Sequence, residues 1–331
     1  MNLLRLLKER KINLIYEKEL NKLVEELKDK EIITGKSFTR DLLLEKLENL
    51  YSVSQASIRE VEKIKKLIKE KEIVGFGGGK PIDVAKKVSC DLNLDLTIVP
   101  TAPTHDGIAS KNCSLYNKNK RRTILAKYPN KIIIPLSLWE NSKDLKNAGV
   151  CDIISNLIAL QDISLAEKKG IKFLEFYKKL SFESVKKILS FKNNKELAES
   201  LILSGIAMEK GSVYCSGSEH EITRLLENKL NYLHGQLAGT GTLIAAKVYE
   251  HYSTQLEGLK FNSKELFYKI REKMEKVRVY EFALQPLFDK NFKPKILREI
   301  SKIRPERYNL WNVINSKEID WDYIIDKILK N

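Results

Sequence analysis

Three consecutive glycines, Gly77-Gly78-Gly79, stand between the apolar run 73–76 and the segment Lys80-Pro81-Ile82-Asp83, which continues as an apolar-periodic stretch through Ser89. That is a strand, a phosphate-sized turn and a helix N-terminus. Glycines permit positive φ and close approach to the main chain, and the free N–H groups of the first helical turn attract an anion. Pro81 suits that turn because its missing N–H costs nothing there, and Asp83 favours the same end of the helix dipole. A second strand, 96–99, runs into the small-residue loop 100–104 and then His105-Asp106-Gly107. Two strand ends thus carry loops on one sheet edge, where open α/β sheets bind nucleotides. The glycines alone also fit a tight turn with no ligand, since their spacing matches neither the G-x-G-x-x-G nor the P-loop pattern.

The surrounding chain extends the reading to a fold. Residues 1–30 carry helical periodicity, with Leu20, Leu23, Val24 and Leu27 on one face of 17–30. Strands at 32–34, 50–53 and 73–76 alternate with helices at 39–49 and 57–70. This β-α-β-α-β order predicts a parallel sheet with right-handed crossovers, hence an α/β dinucleotide-binding domain. The runs 113–116 and 122–126 read as a hairpin over 117–120, and 132–134 as the strand that closes the sheet. From Gly149 onward strand signals nearly vanish, and helices are expected at 152–169, 172–191, 195–211, 219–233, 237–252, 263–278 and 295–303. The chain of 331 residues, 43% hydrophobic, is long enough for two domains. The expected division is an α/β domain over 1–150 and an all-helical domain over 151–331.

Composition narrows the function classes. A formal charge of +15 admits nucleic-acid binding, but the lysines lie beside glutamates in helical segments such as 64–72 and 264–276, without an aromatic-basic stripe. A solvated, ion-paired surface explains them, and some of the excess can steer anionic ligands. Cys90, Cys113, Cys151 and Cys215 form no C-x-x-C pair, which gives no sign of a thiolate zinc knuckle or a disulfide framework. No apolar run approaches the roughly twenty residues needed to span a bilayer, and MNLLRLLKERKINL lacks the pattern of a signal peptide. A cytoplasmic protein is expected.

After the strand at 50–53, Ser54 and Gln55 supply no carboxylate of the kind that NAD-selective sites place against the ribose, so NADP(H) should be accepted beside NAD(H). In the helical half, Asp152 stands where a helix is expected to start, where a capping carboxylate is the plain explanation. His220 lies at another helix start, His234 where a helix pauses at Gly235, and His251 a long helix later. Each histidine alone fits a surface or core position as well as a metal ligand. Arg224 follows His220 by four residues and shares its helix face; Asn156 stands four after Asp152. Arg224 could equally be a surface residue paired with Glu221 or Glu227.

The pair GGGKPID and PTAPTHDGIAS, with HDGIAS the most specific string, resembles the archaeal sn-glycerol-1-phosphate dehydrogenases, in the superfamily of glycerol dehydrogenase, iron-dependent alcohol dehydrogenases and dehydroquinate synthase. The resemblance covers most of the chain, strongest over 73–110 and 148–235, with RPERYNLW as a weaker echo; residues 111–113 and 134–139 depart from the family's run. It implies a dehydroquinate synthase-like fold and zinc held by Asp152, His220 and His234. Two imidazoles and a carboxylate suit zinc and leave a position open for substrate oxygen. The resemblance further implies NADP(H) or NAD(H) bound by Gly77, Gly78, Gly79, Lys80, Pro81, Ile82, Asp83, Thr101, Ala102, Pro103, Thr104 and Ser110. Substrate falls to Asp106, Asp152 and Arg224, with Asn156 a weaker candidate. His105 shapes the nicotinamide loop, and His251 is a surface or packing residue. The implied reaction is reversible reduction of dihydroxyacetone phosphate to sn-glycerol 1-phosphate for archaeal ether phospholipids, by a homo-oligomer that does not span a membrane and has no nucleic-acid partner. Glycerol dehydrogenase is the nearest rival, dehydroquinate synthase a more distant one.

Overall fold

Strand β4 (Glu72–Gly77) lies inside a six-stranded sheet that is parallel throughout. The other strands are β1 (Asn13–Glu17), β2 (Glu31–Gly35), β3 (Leu50–Val53), β5 (Asp95–Pro100) and β8 (Lys131–Pro135), in the order β1-β8-β5-β4-β2-β3. The computed structural model describes residues 2–36, 41, 47, 49–118, 120–257 and 263–330. Central strands such as Ile132-Ile133-Ile134 are unbroken apolar runs because helices cover both faces of a parallel sheet. On one face Leu23, Val24 and Leu27 pack with Ile32, Val74, Phe76, Val99 and Ile133. These leucines and valine belong to α2 (Leu20–Glu26) and the residue that ends it; α1 (Leu3–Glu9) precedes, and α3 (Ile58–Lys65) and α4 (Gly79–Leu92) follow. An antiparallel hairpin, β6 (Asn112–Asn117) and β7 (Lys120–Leu125), stands apart from the sheet.

Two expectations change here. Residues 13–17 form an edge strand rather than part of a helical region, and β8 therefore lies one place inside the edge that it was expected to close. Four or five apolar residues do not declare their period; Leu14, Ile15 and Tyr16 become a strand because β8 offers them a ladder. The helix expected at 39–49 lies mostly outside the described residues.

The chain divides into two compact units, Met1–Lys146 with Lys192–Glu209, and Asn147–Phe191 with Lys210–Asn331. The first therefore includes α8 (Asn194–Ala207), a helix that sequence reading groups with the helical half, besides α5 (Leu136–Glu140). The second is built on α6 (Lys143–Glu167), whose first residues belong to the other unit, with α7 (Glu175–Ile188), α9 (Ser218–Glu227), α10 (His234–His251) and the shorter α11 (Ser253–Glu257), α12 (Leu266–Lys276), α13 (Tyr280–Leu284), α14 (Leu310–Val313) and α15 (Trp321–Leu329). The helix expected at 295–303 is a 3-10 segment, Pro294–Lys302.

α6 is long and apolar enough to cross a bilayer by length and composition, against the expectation that no such run exists, but 78% of its most apolar window is buried within the fold. A helix that is apolar all round belongs in a core. Asp152 is its tenth residue and so no cap: the helix starts nine residues earlier than expected, on the polar stretch Lys143-Asp144.

Candidate active site

In the first unit, the glycine turn is built by close packing. Gly77 has φ +139°, a conformation that side chains rarely tolerate, and a Cβ on Gly75 would stand 2.9 Å from the Ala85 Cβ, so β4 and α4 lie nearly in contact. Thr101 N donates to Gly77 O at 3.1 Å and ties the loop after β5 to the turn. Gly78 is the N-cap of α4 and Lys80 is exposed, whereas Pro81, Ile82 and Asp83 are buried. Asp83 Oδ2 accepts from Ser114 N at 3.0 Å, so this carboxylate holds β6.

The strand end beside the turn belongs to β2, which lies between β4 and β3, and not to Ser54 and Gln55 at the end of edge strand β3. The residues there are Gly35 and an exposed Lys36, again with no carboxylate. The residues Ser54 and Gln55, from which acceptance of both nicotinamide cofactors was expected, therefore do not adjoin the glycine turn.

The His105-Asp106-Gly107 loop is held from three sides. His105 Nδ1 accepts from Gly107 N at 2.9 Å, and the ring lies against Gly79, where a Cβ would meet its Nε2 at 2.9 Å. Ser204 Oγ of α8 donates to Asp106 Oδ2 at 2.6 Å, and a Cβ on Gly205 would fall 2.7 Å from Asp106 O. Lys86, fully buried on α4, donates to Gly107 O and to Asn112 O, the latter at 3.1 Å, and burial pushes its ammonium down from the ordinary lysine value. Ser110 Oγ accepts from Asn112 N at 3.0 Å. Lys86 and Ser204 carry no sequence signal that ties them to the loop.

A Cβ on Gly78 would meet no atom within 4 Å, so Gly78→Val puts bulk over the first turn of α4 without disturbing the core. We expect KM for NADPH and for NADH to rise together, by roughly tenfold or more, the equivalent of about 1.4 kcal/mol each, with an unchanged thermal midpoint. A loss confined to one cofactor in steady-state kinetics would move the shared phosphates elsewhere.

The second unit gathers Asp152, His220 and His234 from three helices, with one ligand atom of each within 4.8 Å of the others. Asp152 Oδ1 stands 3.5 Å from His220 Nε2 and 3.6 Å from His234 Nε2. Ligands about 2.1 Å from a tetrahedral zinc stand about 3.4 Å apart, so the donor set fits that ion. Orientation fits as well. His220 Nδ1 faces Glu219 Oε1 at 2.7 Å and His234 Nδ1 faces Glu227 Oε1 at 2.6 Å. A carboxylate can only accept, so each Nδ1 donates, and once the ring is neutral its Nε2 is the nitrogen left with a lone pair on the side of Asp152, as in carboxylate–histidine–metal triads.

Without an ion, a proton takes the place of the positive charge. Burial opposes a charge on His220, yet hydrogen bonds to Asp152 and Glu219 outweigh it and push the imidazole up to about 9. The pocket stabilises positive charge.

Arg224 sits partly buried one turn after His220 on α9. Asn156 is buried, and its amide donates to Ser184 Oγ of α7 at 3.1 Å. His251 ends α10, seventeen residues from His234 and so about 25 Å along the helix, with its ring against Tyr252 and Tyr323. Sequence reasoning missed Glu219 and Glu227 as partners of the ligands. Adjacent residues on a helix do not generally face each other, and Glu227 reaches His234 from a different helix.

Residues 2–142 match the family model described as iron-containing alcohol dehydrogenase. The curated glycerol-1-phosphate dehydrogenase [NAD(P)+] of Pyrococcus furiosus is 32% identical over 84% of this chain and 82% of its own length. That of Saccharolobus islandicus is 30% identical over 88% and 85%. Among solved structures, glycerol dehydrogenase from Schizosaccharomyces pombe superposes with a TM-score of 0.61 at 16% identity, covering 96% of this chain and 88% of that one, which shows the fold.

Proposed function

This chain belongs to the glycerol-1-phosphate dehydrogenase family, and from that premise we propose that it reduces dihydroxyacetone phosphate to sn-glycerol 1-phosphate with NADPH or NADH. The observation that carries the reading is the Asp152, His220 and His234 cluster, with each histidine oriented by its own carboxylate, in a chain whose relatives carry this activity in their names. The α/β unit would bind the cofactor and contribute Asp106 toward substrate, and the helical unit would supply the metal ligands and Arg224. The remaining parts of the reading, zinc rather than iron, a cytoplasmic homo-oligomer, and supply of the glycerophosphate backbone of ether phospholipids, rest on the family resemblance.

When bound, the metal supplies Lewis acidity toward a substrate oxygen and the nicotinamide supplies hydride. The protein's own residues do the rest. The first turn of α4 offers backbone N–H groups and the positive end of a helix dipole to the cofactor phosphates. Asp106, fixed by Ser204, orients a substrate hydroxyl. Arg224 meets the substrate phosphate with a guanidinium that pairs two oxygens at once. Glu219 and Glu227 hold the histidines in the tautomer that can ligate.

The test is a comparison of substrates. Oxidation of NADPH should be far faster with dihydroxyacetone phosphate than with dihydroxyacetone, and Arg224→Ala should chiefly raise KM for the phosphorylated substrate. Equal rates on both substrates would turn the reading toward glycerol dehydrogenase.

A further inference from the structure

Ten residues beyond Asp152 on α6, about 15 Å along the axis, a buried carboxylate ties together the elements that carry all three ligands. Asp162 Oδ2 accepts from Ser218 N at 2.5 Å, and Oδ1 accepts from Ser218 Oγ at 3.1 Å and Tyr249 hydroxyl at 2.5 Å. Ser218 begins the helix of His220, and Tyr249 lies on the helix of His234. A Cβ on Gly217 would fall 2.2 Å from Asp162 Oδ2, so only glycine lets the carboxylate in.

The RPERYNLW segment closes the same junction from the far end of the chain. Leu310 N donates to Asp162 Oδ1 at 3.1 Å, and Trp311 Nε1 to Ser218 O at 3.1 Å. Arg304 Nη1 donates to Ser216 Oγ at 2.8 Å, while Arg307 donates to Ser216 O and to Ser212 Oγ, both at 2.7 Å. Asn309 Nδ2 donates to Glu221 Oε1 at 2.6 Å, on the residue after His220. The held loop leads directly to the ligand: Glu219 Oε1, which faces His220 Nδ1, also accepts from Gly217 N at 2.8 Å.

We infer that Asp162 and residues 304–311 form a brace that sets the spacing of Asp152, His220 and His234, so that metal affinity depends on positioning residues remote from the ion. This rests on the reading that those three residues hold the metal. Six donors converge on a segment of ten residues, 212–221, and on one carboxylate; the four from Arg304, Asn309, Leu310 and Trp311 are buried, where an unmet hydrogen bond is costly, and the two from Arg307 are partly so. Such a network has one geometry or none, which is what a site demanding ligands about 3.4 Å apart requires.

The experiment measures the zinc dissociation constant by chelator competition on folded metal-free protein, for wild type, Asp162→Asn and Ser216→Ala, with thermal midpoints in parallel. Asp162→Asn replaces one oxygen of a carboxylate that accepts from four donors by an amide nitrogen that accepts from none; Ser216→Ala is the milder change, losing only the hydroxyl that accepts from Arg304. Asp162→Asn should weaken zinc by about tenfold, the low end of what direct partners of a ligand contribute, because it acts through Ser218 and Tyr249 and not on a ligand itself, and Ser216→Ala by a smaller factor in the same direction. A lower thermal midpoint with unchanged zinc affinity in both variants would make the network merely structural and overturn the brace. If Asp162→Asn does not fold, Ser216→Ala decides alone: weaker zinc sustains the brace and unchanged zinc overturns it. Wild type that binds no zinc would instead overturn the metal reading on which the brace depends.

Discussion

Alanine at Asp152, at His220 or at His234 is expected to strip the protein of most of its metal and to cut activity by more than the roughly hundredfold typical of losing an outer partner. The three side chains come from three helices, and among the described residues each supplies one of three protein donors within 4.8 Å of one another. With two donors left, the ion loses a third of its protein ligands, and a two-donor site holds it far less tightly. Double substitutions should then cost little more than singles, because residues that act as one unit do not contribute additively. Zinc added to chelator-treated wild type should restore activity. His251→Ala is the internal control: that ring packs on Tyr252 and Tyr323 at the opposite end of α10, and both metal content and turnover should stay at the wild-type level. Loss of metal in His251→Ala, with His234→Ala retaining it, would require the site to be redrawn.

Gly235→Ala should be nearly as damaging, although it removes no ligand. A Cβ at this position would stand 2.0 Å from Ala148 O and 2.5 Å from the same carbonyl carbon, both backbone atoms of α6 that no rotamer change can move aside. Gly235 follows His234, and Ala148 lies one turn before Asp152 on its own helix. To admit one methyl group the start of α10 must retreat from α6, and that retreat separates His234 Nε2 from Asp152 Oδ1, now 3.6 Å apart. Overpacking of this kind costs about 1–3 kcal/mol of stability, which a domain of this size can survive. The expected result is therefore a folded protein with a moderately lowered thermal midpoint, little bound metal and little activity. Normal zinc content in folded Gly235→Ala would show that the two helices need not touch for the site to form.

How much of this could be read from the chain depends on how far apart the cooperating residues lie. The β4, glycine turn and α4 sequence was legible because each step is decided by neighbours: an apolar run, glycines that permit φ +139° at Gly77, and Pro81 in the first turn. The division into a sheet-bearing portion and helices was legible for the same reason, since periodicity is a local property. The candidate metal ligands were reached by resemblance; spacing alone left Asp152 as a cap and each histidine as a surface or core residue.

What only the tertiary structure decided concerns partners distant in sequence. β1 is a strand because β8 lies beside it, and β2 rather than β3 adjoins β4, a matter of sheet order that no segment encodes by itself. Asp152 belongs in mid-helix because α6 is buried on nearly every side, which extends it back through residues whose own propensities mark no start. Glu227 orients His234 across two helices, Lys86 and Ser204 fix a loop at 105–107 from separate elements, and residues 304–311 reach back to 212–221. A hydrogen bond between side chains depends on direction and distance within a few tenths of an ångström. Composition and periodicity specify which faces are buried; which buried polar atoms meet is fixed only when the helices have packed.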